Sequence, residues 1–484
     1  MEDLRAQRLK KLEELIALGV KPFGGRFERN AAAAECHGDY REGKEVAVAG
    51  RLTAIRGHGK TVFADLCDSS GKVQLYLRRD NLNERELEIL DRLDLGDIAG
   101  ARGELFTTRK GEISVLVREL FLLSKALRPL PEKWHGLKDR ETRYRKRYLD
   151  LIVNPRVAEL FRIRSRIIRE IRSFLDRRGF LEVETPMMQA LPGGAAARPF
   201  ETFYAALDTP MFLRIAPELY LKRLLVGGFE KIYELNRNFR NEGLSRSHNP
   251  EFTMLEIYEA YGDCRTMMEL VEALVVGVSK AIRGDLSPVH GETTIDLTPP
   301  WKRVRYRDLV SGFLGIEDWF SRPREEMAAE AAGRGLEVTG EMSAGEITHQ
   351  IYEKCVEPSL IQPTFVLEFP PALVPLAKLK EDDPEAVDVF ELVVNGTELA
   401  PGYSELNDPL EQRRRFREQA VSRPPAEEEV GGKIDEDFLE ALESGMPPAG
   451  GTGIGIDRLV MLLTGAESIR DVILFPQLRP KSEL

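Results

Sequence analysis

Two short segments, more than two hundred residues apart, carry the side chains best suited to phosphate chemistry. They are Phe239-Arg240-Asn241-Glu242 and Gly451-Thr452-Gly453-Ile454-Gly455-Ile456-Asp457-Arg458. Arginine holds phosphate oxygens through two parallel hydrogen bonds. Two guanidinium groups on one bent ATP would stabilise the charge that develops on the α-phosphate and on the departing pyrophosphate. The pair therefore indicates adenylation chemistry.

The glycines before Arg458 do not fit a dinucleotide-binding fold. They alternate as Gly-x-Gly-x-Gly, whereas the dinucleotide fingerprint is Gly-x-Gly-x-x-Gly at the start of a helix that follows an early strand. An Arg-x-Glu segment alone is more often an exposed ion pair than a site. An assignment therefore needs a third element.

That third element is a long amphipathic helix followed by a short strand. Apolar residues recur at helical spacing between Val157 and Arg178, and Gly179 then favours a helix end. Residues 180–185 are typical of a strand, which Pro186 would end. The apolar helix positions are Leu160, Ile163, Ile167, Ile168, Ile171 and Leu175.

The three elements, in this order, resemble motifs 1, 2 and 3 of the class II aminoacyl-tRNA synthetases. Within that class the chain resembles the lysyl-tRNA synthetases over nearly its whole length. The resemblance implies an α+β fold with an N-terminal OB-fold β-barrel and a catalytic domain built on an antiparallel sheet flanked by helices. It also implies ATP-dependent activation of L-lysine to lysyl-adenylate, transfer to tRNA(Lys), Mg²⁺ as cofactor, and a homodimer formed through motif 1.

The resemblance assigns both arginines to ATP and to catalysis. Arg240 would bind the α-phosphate and the amino acid carboxylate as they react, and Arg458 would bind the γ-phosphate end. Phe252 would stack on adenine. The predicted ATP-binding set is completed by Glu242, His248, Asn249 and Gly455. His248 is equally compatible with an ordinary surface histidine.

A predicted hairpin carries two acidic residues. Glu391 and Glu398 flank a short apolar strand and the dipeptide Asn395-Gly396, which is a strong turn signal. The two carboxylates could face each other from the two arms. Carboxylate oxygens suit Mg²⁺ that bridges phosphates, and the resemblance places magnesium ligands here. The alternative is a pair of exposed hairpin charges.

Buried carboxylates are expected to determine which amino acid binds, because a cationic side chain that enters a pocket must be paired there. The resemblance places Glu256 and Glu405, with the Tyr258 hydroxyl, at the ε-ammonium group of lysine. It places Glu218 and the Gly194 carbonyl at the α-ammonium group. The predicted substrate-binding residues are Gly194, Glu218, Glu256, Tyr258, Tyr403 and Glu405.

Residues 45–124 have the pattern of a small closed β-barrel. Alternating runs between turns predict strands at 46–50, 61–66, 73–77, 98–105 and 113–122. OB-like barrels commonly bind single-stranded nucleic acid through an aromatic ring on which a base stacks. Phe63 is the candidate ring, although alone it is more often a core residue, and Gln74 is the candidate for a base edge. The resemblance adds Arg56 and Glu112 as readers of a uridine-rich anticodon.

We predict three regions along the chain. They are an N-terminal helix with the anticodon-binding barrel (1–127), a proline-bearing charged linker (128–153) and the catalytic domain (154–484) with a helix-rich insertion at about 263–362. The charged segment 413–433 is expected to be a solvated helix and loop rather than a site.

Composition indicates a soluble globular protein with more than one domain. The chain has 484 residues, of which 42% are hydrophobic and 31% are charged, and its formal net charge is −11. The acidic balance weakens the expectation of RNA binding but is compatible with a local basic patch. Four dispersed cysteines predict neither zinc nor disulfides. Without a leader or a long apolar run, we expect a cytoplasmic protein that does not enter the membrane.

Three positions depart from the lysyl-tRNA synthetase pattern near the expected active site. Pro401 stands where an asparagine is usual, Tyr204-Ala205 where a His-Asn pair is common, and Ser247 where a basic residue is usual. Proline has no donor, and losing a hydrogen bond to a charged group costs about 1.5 to 3 kcal/mol. Two alternatives therefore stay open: a paralogue that activates a lysine analogue or charges another acceptor, and a catalytically silent RNA-binding protein.

Overall fold

The protein is described here by a computed structural model that covers residues 2–131, 137, 139–195, 197–422 and 434–480. It forms two compact units, Met1–Asp139 and Arg140–Leu484. Residues 132–136 and 138 of the predicted linker lie outside the described residues, as do residues 423–433 of the charged segment.

The N-terminal unit is the predicted five-stranded closed barrel, with strand order β1-β2-β3-β5-β4. On β3, Val73, Leu75 and Leu77 point into the barrel core, while Gln74 and Tyr76 alternate on the outer face. The first strand is longer than predicted, because its polar C-terminal half continues to pair with β2. The elements are α1 (Glu2–Ala17), α2 (Ala33–Gly38), β1 (Glu45–His58), β2 (Thr61–Cys67), β3 (Lys72–Arg78), α3 (Glu84–Arg92), β4 (Ile98–Thr107) and β5 (Ile113–Ser124).

The C-terminal unit packs helices against a large sheet. Its helices are α4 (Arg140–Arg145), α5 (Arg147–Val153), α6 (Pro155–Asp176), α7 (Glu218–Val226), α8 (Cys264–Arg283), α9 (Tyr306–Leu314), α10 (Arg324–Gly333), α11 (Ala344–Ile351), α12 (Pro409–Ser422), α13 (Glu436–Glu443), α14 (Ile456–Thr464) and α15 (Ile469–Val472). Its strands are β6 (Leu181–Glu182), β7 (Met188–Gln189), β8 (Phe200–Tyr204), β9 (Thr209–Leu213), β10 (Lys231–Phe239), β11 (Glu251–Ala260), β12 (Val289–His290), β13 (Thr293–Thr294), β14 (Lys302–Arg305), β15 (Thr364–Leu367), β16 (Val389–Val394), β17 (Thr397–Ser404) and β18 (Ala449–Gly455).

The large sheet has the strand order β14-β15-β16-β17-β18-β11-β10-β6. Its central strands are antiparallel, but β14 with β15 and β6 with β10 are parallel pairs. The sheet is therefore mixed and not wholly antiparallel as expected, because side-chain periodicity does not encode the direction of an edge strand. A separate three-stranded sheet has the order β7-β9-β8.

Two features predicted from the sequence, an apolar helix face and a hairpin turn, position the strands that carry the site. The apolar stripe of α6 buries Ile167, Ile171 and Leu175 in the core under the sheet. Asn395 and Gly396 have φ angles of 53° and 66°, as a hairpin turn with two left-handed residues requires. The turn joins β16 to β17 and so places the two acidic arms side by side.

The range 263–362, predicted as an insertion, supplies part of the central architecture. Met267, Val271 and Leu274 of α8 lie in the same core as α6, and β14 pairs with β15 at one edge of the large sheet. Helices α9 to α11 pack around a second cluster in which Trp319 is fully buried.

Candidate active site

Arg240 directly follows β10 and lies against a ring on the neighbouring strand. Its guanidinium carbon is 5.2 Å from the centre of the Phe252 ring. Its Nε is buried and has no hydrogen-bond partner among the described residues. Burial lowers the pKa of Arg240, while the carboxylate of Glu398 opposes that effect. A desolvated guanidinium of this kind is suited to bind an anion.

Arg458 lies in the first turn of α14 and meets two other elements. One guanidinium nitrogen donates to the backbone oxygen of Glu398 at 2.6 Å, and the other lies 3.3 Å from Nε2 of His248. Burial, followed by the positive charge of Arg458, lowers the pKa of His248. The imidazole is therefore neutral near pH 7 and can accept from Arg458. The fold brings both predicted arginines, Glu398 and His248 into one site.

The remaining predicted ATP-binding residues lie beside this pair. Asn249 is buried, its Nδ2 donates to the Glu251 backbone oxygen at 2.6 Å, and its Oδ1 has no partner in the part of the chain that the structure describes. Glu242 is exposed on the loop between β10 and β11. Gly455 is the residue immediately before α14.

Alternate glycines on β18 leave space beside this strand for larger side chains of the site. A Cβ added at Gly451 would lie 1.9 Å from Oε1 of Glu405, and one added at Gly453 would lie 2.3 Å from Cε of Met254. The intervening residues are buried on the opposite face of the strand. The spacing Gly-x-Gly-x-Gly thus lets β18 stay in the sheet while larger side chains approach it.

Three neighbouring strands bring two tyrosines and a buried acid together. Tyr258, Gly451 and Tyr403 stand in register across β11, β18 and β17. Glu256, two residues before Tyr258, accepts from the Tyr258 hydroxyl at 3.2 Å. It is 4% exposed. Burial, followed by the negative charge of Glu218, raises the pKa of Glu256 to about 8.

The other two pocket carboxylates share a lysine that the sequence reasoning missed. The Nζ of Lys222 lies 2.8 Å from Oε1 of Glu218 and 2.5 Å from Oε2 of Glu405. Glu218 also accepts from the Tyr403 hydroxyl at 3.0 Å. Gly194 has a φ of +84°, and a Cβ there would lie 3.0 Å from that of Glu218. The four-residue spacing of Glu218 and Lys222 on one helix was the available signal.

A third carboxylate, on a helical turn after α11, lies against the predicted acidic hairpin. Burial, followed by the charges of Glu398 and Glu357, raises the pKa of Glu391 well above its ordinary value. Glu357, which sequence reasoning missed, accepts from the Glu398 backbone N–H at 2.9 Å. The Tyr352 hydroxyl donates to Glu391 at 3.3 Å. Among the described residues, no group of three acidic, histidine or cysteine side chains is arranged to hold a metal ion alone.

The three departures occupy different places. The Pro401 carbonyl accepts from the Thr452 hydroxyl at 2.7 Å on β17, opposite Glu391. Ser247 Oγ lies 3.1 Å from Nδ1 of His248 and so helps to orient it. Tyr204 ends β8 on the separate three-stranded sheet and is exposed.

Asp457, next to Arg458, anchors the start of α14. One carboxylate oxygen accepts from the Thr253 backbone N–H at 2.8 Å, and the other accepts from Arg164 at 2.6 Å. Arg164 also donates to the Thr253 hydroxyl at 3.0 Å. Helices α6 and α14 and strand β11 are therefore tied together beneath the arginine site. Sequence reasoning did not identify this anchor.

In the barrel, the predicted anticodon residues share the outer face. Phe63 stands opposite Arg56 on β1 and opposite Tyr76 on β3. Arg56 donates to Asp65 at 2.8 Å. The Gln74 amide oxygen accepts from Ser114 at 3.0 Å. Glu112 is exposed just before β5.

The structure adds aromatic residues to this face that were not predicted. The ring centres of Phe63 and Tyr76 are 5.0 Å apart, and those of Tyr76 and Phe106 are 5.2 Å apart. Phe63 is only partly buried, so it stands in an aromatic row and not in the barrel core.

Two family models match the chain. Residues 139–479 match the tRNA synthetases class II (D, K and N), and residues 46–123 match the OB-fold nucleic acid binding domain. The chain belongs to the class II tRNA synthetases. The resemblance inferred from its three motifs is confirmed, as is the α+β fold with an OB-fold barrel.

Curated relatives narrow the assignment within class II. A lysine--tRNA ligase of Moorella thermoacetica is 56% identical, and the match covers 99% of each chain. One of Syntrophomonas wolfei is 54% identical over 100% of this chain and 98% of its own, and one of Carboxydothermus hydrogenoformans is 51% identical over 99% of each. This class II synthetase therefore belongs to the lysine--tRNA ligase family. None of its described helices has the length and apolar character needed to cross a bilayer.

Proposed function

We propose that this synthetase activates L-lysine with ATP to form lysyl-adenylate and transfers the lysyl group to tRNA(Lys). One observation carries the proposal: Glu256 and Glu405 are buried close together, Glu256 forms no ion pair among the described residues, and of the two Glu405 oxygens only Oε2 faces a cation, the Lys222 ammonium group at 2.5 Å. A buried carboxylate is costly unless a cation pairs with it. A substrate ammonium group would supply that cation.

The two arginines suit the two ends of the activation step. The lysine carboxylate attacks the α-phosphorus, the bond to the bridging oxygen breaks, and pyrophosphate leaves with the electron pair. Arg240 would bind the reacting carboxylate and α-phosphate, with Phe252 under the adenine. Arg458, oriented by Glu398 and His248, would hold the γ-phosphate end. Fixed guanidinium groups stabilise this charge without reorganising in the transition state.

The acidic hairpin fits magnesium as the cofactor. Glu391, Glu398 and Glu357 are close enough to raise the pKa of Glu391, and the one cation paired with them among the described residues is Arg458, 3.5 Å from Glu398, so a divalent cation would supply the counter-charge that Glu391 lacks. Glu391 and Glu398 would hold the ion, which neutralises charge on the ATP phosphates when bound. Glu398→Gln should raise the magnesium concentration needed for half-maximal activation; an unchanged requirement would remove Glu398 from the site.

Lysine-dependent exchange of pyrophosphate into ATP tests the activation proposal. Exchange should require lysine and magnesium, and EDTA should abolish it. A panel of the twenty amino acids with ornithine and β-lysine checks the alternative of a lysine-analogue enzyme. Exchange with an analogue but not with lysine would reject the proposal, and no exchange with any amino acid would favour the silent RNA-binding alternative. The lysine--tRNA ligase relatives do not favour either alternative.

Phe63→Ala should separate tRNA recognition from activation. If a base stacks on this ring, its removal should lower kcat/KM for tRNA charging by about 1–3 kcal/mol, roughly 5- to 150-fold. Pyrophosphate exchange should be unchanged. Phe121→Ala is the matched control, because Phe121 is a partly buried ring on the same barrel that packs with Phe27 and not with Phe63. Equal losses in charging and exchange would assign Phe63 a structural role.

The homodimer proposal is supported by apolar side chains exposed around the motif 1 strand. Leu181 of β6 is 49% exposed, Met188 of β7 is 54% exposed, and Phe203 of β8 is 58% exposed. Clusters of exposed large apolar residues are typical of interfaces. Light scattering should give the mass of a dimer; a monomeric mass at micromolar concentration would contradict the proposal. The cytoplasmic location stays a prediction from sequence.

A further inference from the structure

Lys222 is a buried charged group beside the predicted amino acid site, and the activation scheme does not use it. It lies on α7, one turn after Glu218, and its side chain is completely buried. Burial disfavours its charge, but the carboxylates of Glu218 and Glu405 outweigh burial and raise the pKa of Lys222. It therefore stays cationic between the two acids. Its Nζ also lies 5.7 Å from the centre of the Tyr403 ring.

The position of Lys222 links two subsites that the proposed function treats separately. Glu218 is the proposed acceptor for the α-ammonium group, and Glu405 is a proposed acceptor for the ε-ammonium group. Both carboxylates approach the same ammonium nitrogen, at 2.8 Å and 2.5 Å. The distance between the Glu218 and Glu405 carboxylates is therefore limited, because both contact the same compact ammonium group.

The opposite side of Glu405 is also fixed. Its Oε2 faces Lys222. Its Oε1 lies 1.9 Å from the position that a Cβ on residue 451 would occupy. Oε1 has no hydrogen-bond partner among the described residues. Glu405 is thus held between Lys222 and Gly451, and Oε1 is the oxygen left for a substrate ammonium group.

Charge counting agrees with this arrangement. The three predicted substrate-binding carboxylates, Glu218, Glu256 and Glu405, are buried, and among the described residues Lys222 is the cation that pairs with two of them. A diamino acid brings two ammonium groups, so the three carboxylates would meet three cations. We infer that Lys222 is a positioning residue that fixes the distance between the Glu218 and Glu405 carboxylates and thereby sets the chain length of the diamino acid that the pocket accepts. The inference rests on the proposed activation of lysine.

Lys222→Met tests the inference by removing the cation at nearly constant length. Without it, the two carboxylates repel each other and lose their common anchor. We expect KM for lysine to rise while KM for ATP changes by less than about twofold. We also expect the ratio of kcat/KM for lysine over ornithine, which is one methylene shorter, to fall about tenfold or more. Lys231→Met is the matched control, because it removes a lysine paired with Glu259 at 2.7 Å on the outer part of β10.

Two further variants separate geometry from charge and from folding. Lys222→Arg keeps the charge but replaces a compact ammonium with a wider planar group. Its melting temperature should therefore be higher than that of Lys222→Met, while its preference for lysine should stay below that of the wild-type protein. Gly451→Ala keeps Lys222 but would displace Glu405 away from β18, and its Cβ would also lie 2.6 Å from the Tyr258 ring, so the preference for lysine over ornithine should change.

The outcomes are distinct. A wild-type preference in Lys222→Arg would show that only charge matters, and an unchanged preference in both Lys222→Met and Gly451→Ala would exclude a distance-setting role; either result overturns the inference while wild-type exchange with lysine still supports the proposed function. A wild-type protein without lysine-dependent exchange would instead reject the proposed function itself.

Discussion

Arg240→Ala is expected to lower lysine-dependent pyrophosphate exchange by about 10²- to 10³-fold, which is the usual effect of removing one preorganised donor to a developing negative charge. The expected size follows from the state of the side chain. Its Nε is buried and unpaired among the described residues, and it stacks on Phe252 without an ion-pair partner of its own. Most of its interaction free energy is therefore available to the reacting groups. Steady-state exchange with saturating ATP and lysine measures the effect as a loss of kcat.

Arg237→Ala is the matched control for that variant. Arg237 lies on β10, three residues before Arg240, with 40% of its side chain exposed and a long contact of 3.8 Å to Glu251. Weak, exposed ion pairs contribute little, so exchange and melting temperature should stay close to wild type. Equal losses in the two variants would mean that the strand, and not the Arg240 guanidinium, was disturbed.

Local patterns were sufficient to predict the elements that carry these residues. The alternation in β2 and β3 predicted their limits to within a residue, because each strand has one face in the barrel core. The dipeptide Asn395-Gly396 predicted a hairpin because few other residues adopt two successive left-handed conformations. The alternate glycines before Arg458 indicated only that the segment is not a dinucleotide fingerprint, and the structure shows that they form strand β18 before α14.

Contacts that depend on tertiary structure could not be predicted in the same way. Lys222 contacts Glu405, but the two residues are far apart in sequence. The local sequence around either residue does not indicate a contact with the other. Glu357 reaches Glu398 because a turn of helix after α11 packs against the hairpin. The direction of β6 and β14 at the sheet edges also follows from connections and not from side-chain periodicity.

The site as a whole is a set of buried charges arranged to leave room for a substrate of complementary charge. Arg240 forms no ion pair in the part of the chain that the structure describes, and the three predicted substrate-binding carboxylates outnumber Lys222, which pairs with two of them. Lysine carries one carboxylate and two ammonium groups. It would therefore supply an anion for Arg240 and cations for the buried carboxylates at the same time. A neutral amino acid of similar length would leave buried carboxylates unpaired, which is strongly unfavourable. With the proposed site residues, selectivity for a diamino acid would therefore follow from the free energy of desolvation.

Glu405→Gln tests that argument directly, because glutamine keeps the shape of the side chain and removes its charge. Truncating one partner of a buried charge pair costs about 2–5 kcal/mol, so kcat/KM for lysine should fall by about 30-fold to several thousandfold. KM for ATP should not change. Glu440→Gln on α13 is the control, since Glu440 is exposed. Retention of wild-type kcat/KM for lysine would exclude Glu405 from the ammonium site.

The pH dependence of lysine use provides an independent measurement on the same pocket. The pKa of Glu256 is raised to about 8 by burial and by Glu218, and a protonated carboxyl does not attract an ammonium group. KM for lysine should therefore decrease as pH rises from 6 towards about 8, where the carboxyl ionises. Burial also raises the pKa of Glu405 to about 8, although the charge of Lys222 opposes that effect. Glu256→Gln and Glu405→Gln should therefore each weaken this dependence, and the double variant should remove it. A KM for lysine that is independent of pH over this range in the wild-type protein would contradict the raised pKa, because the free pocket would then already be fully ionised.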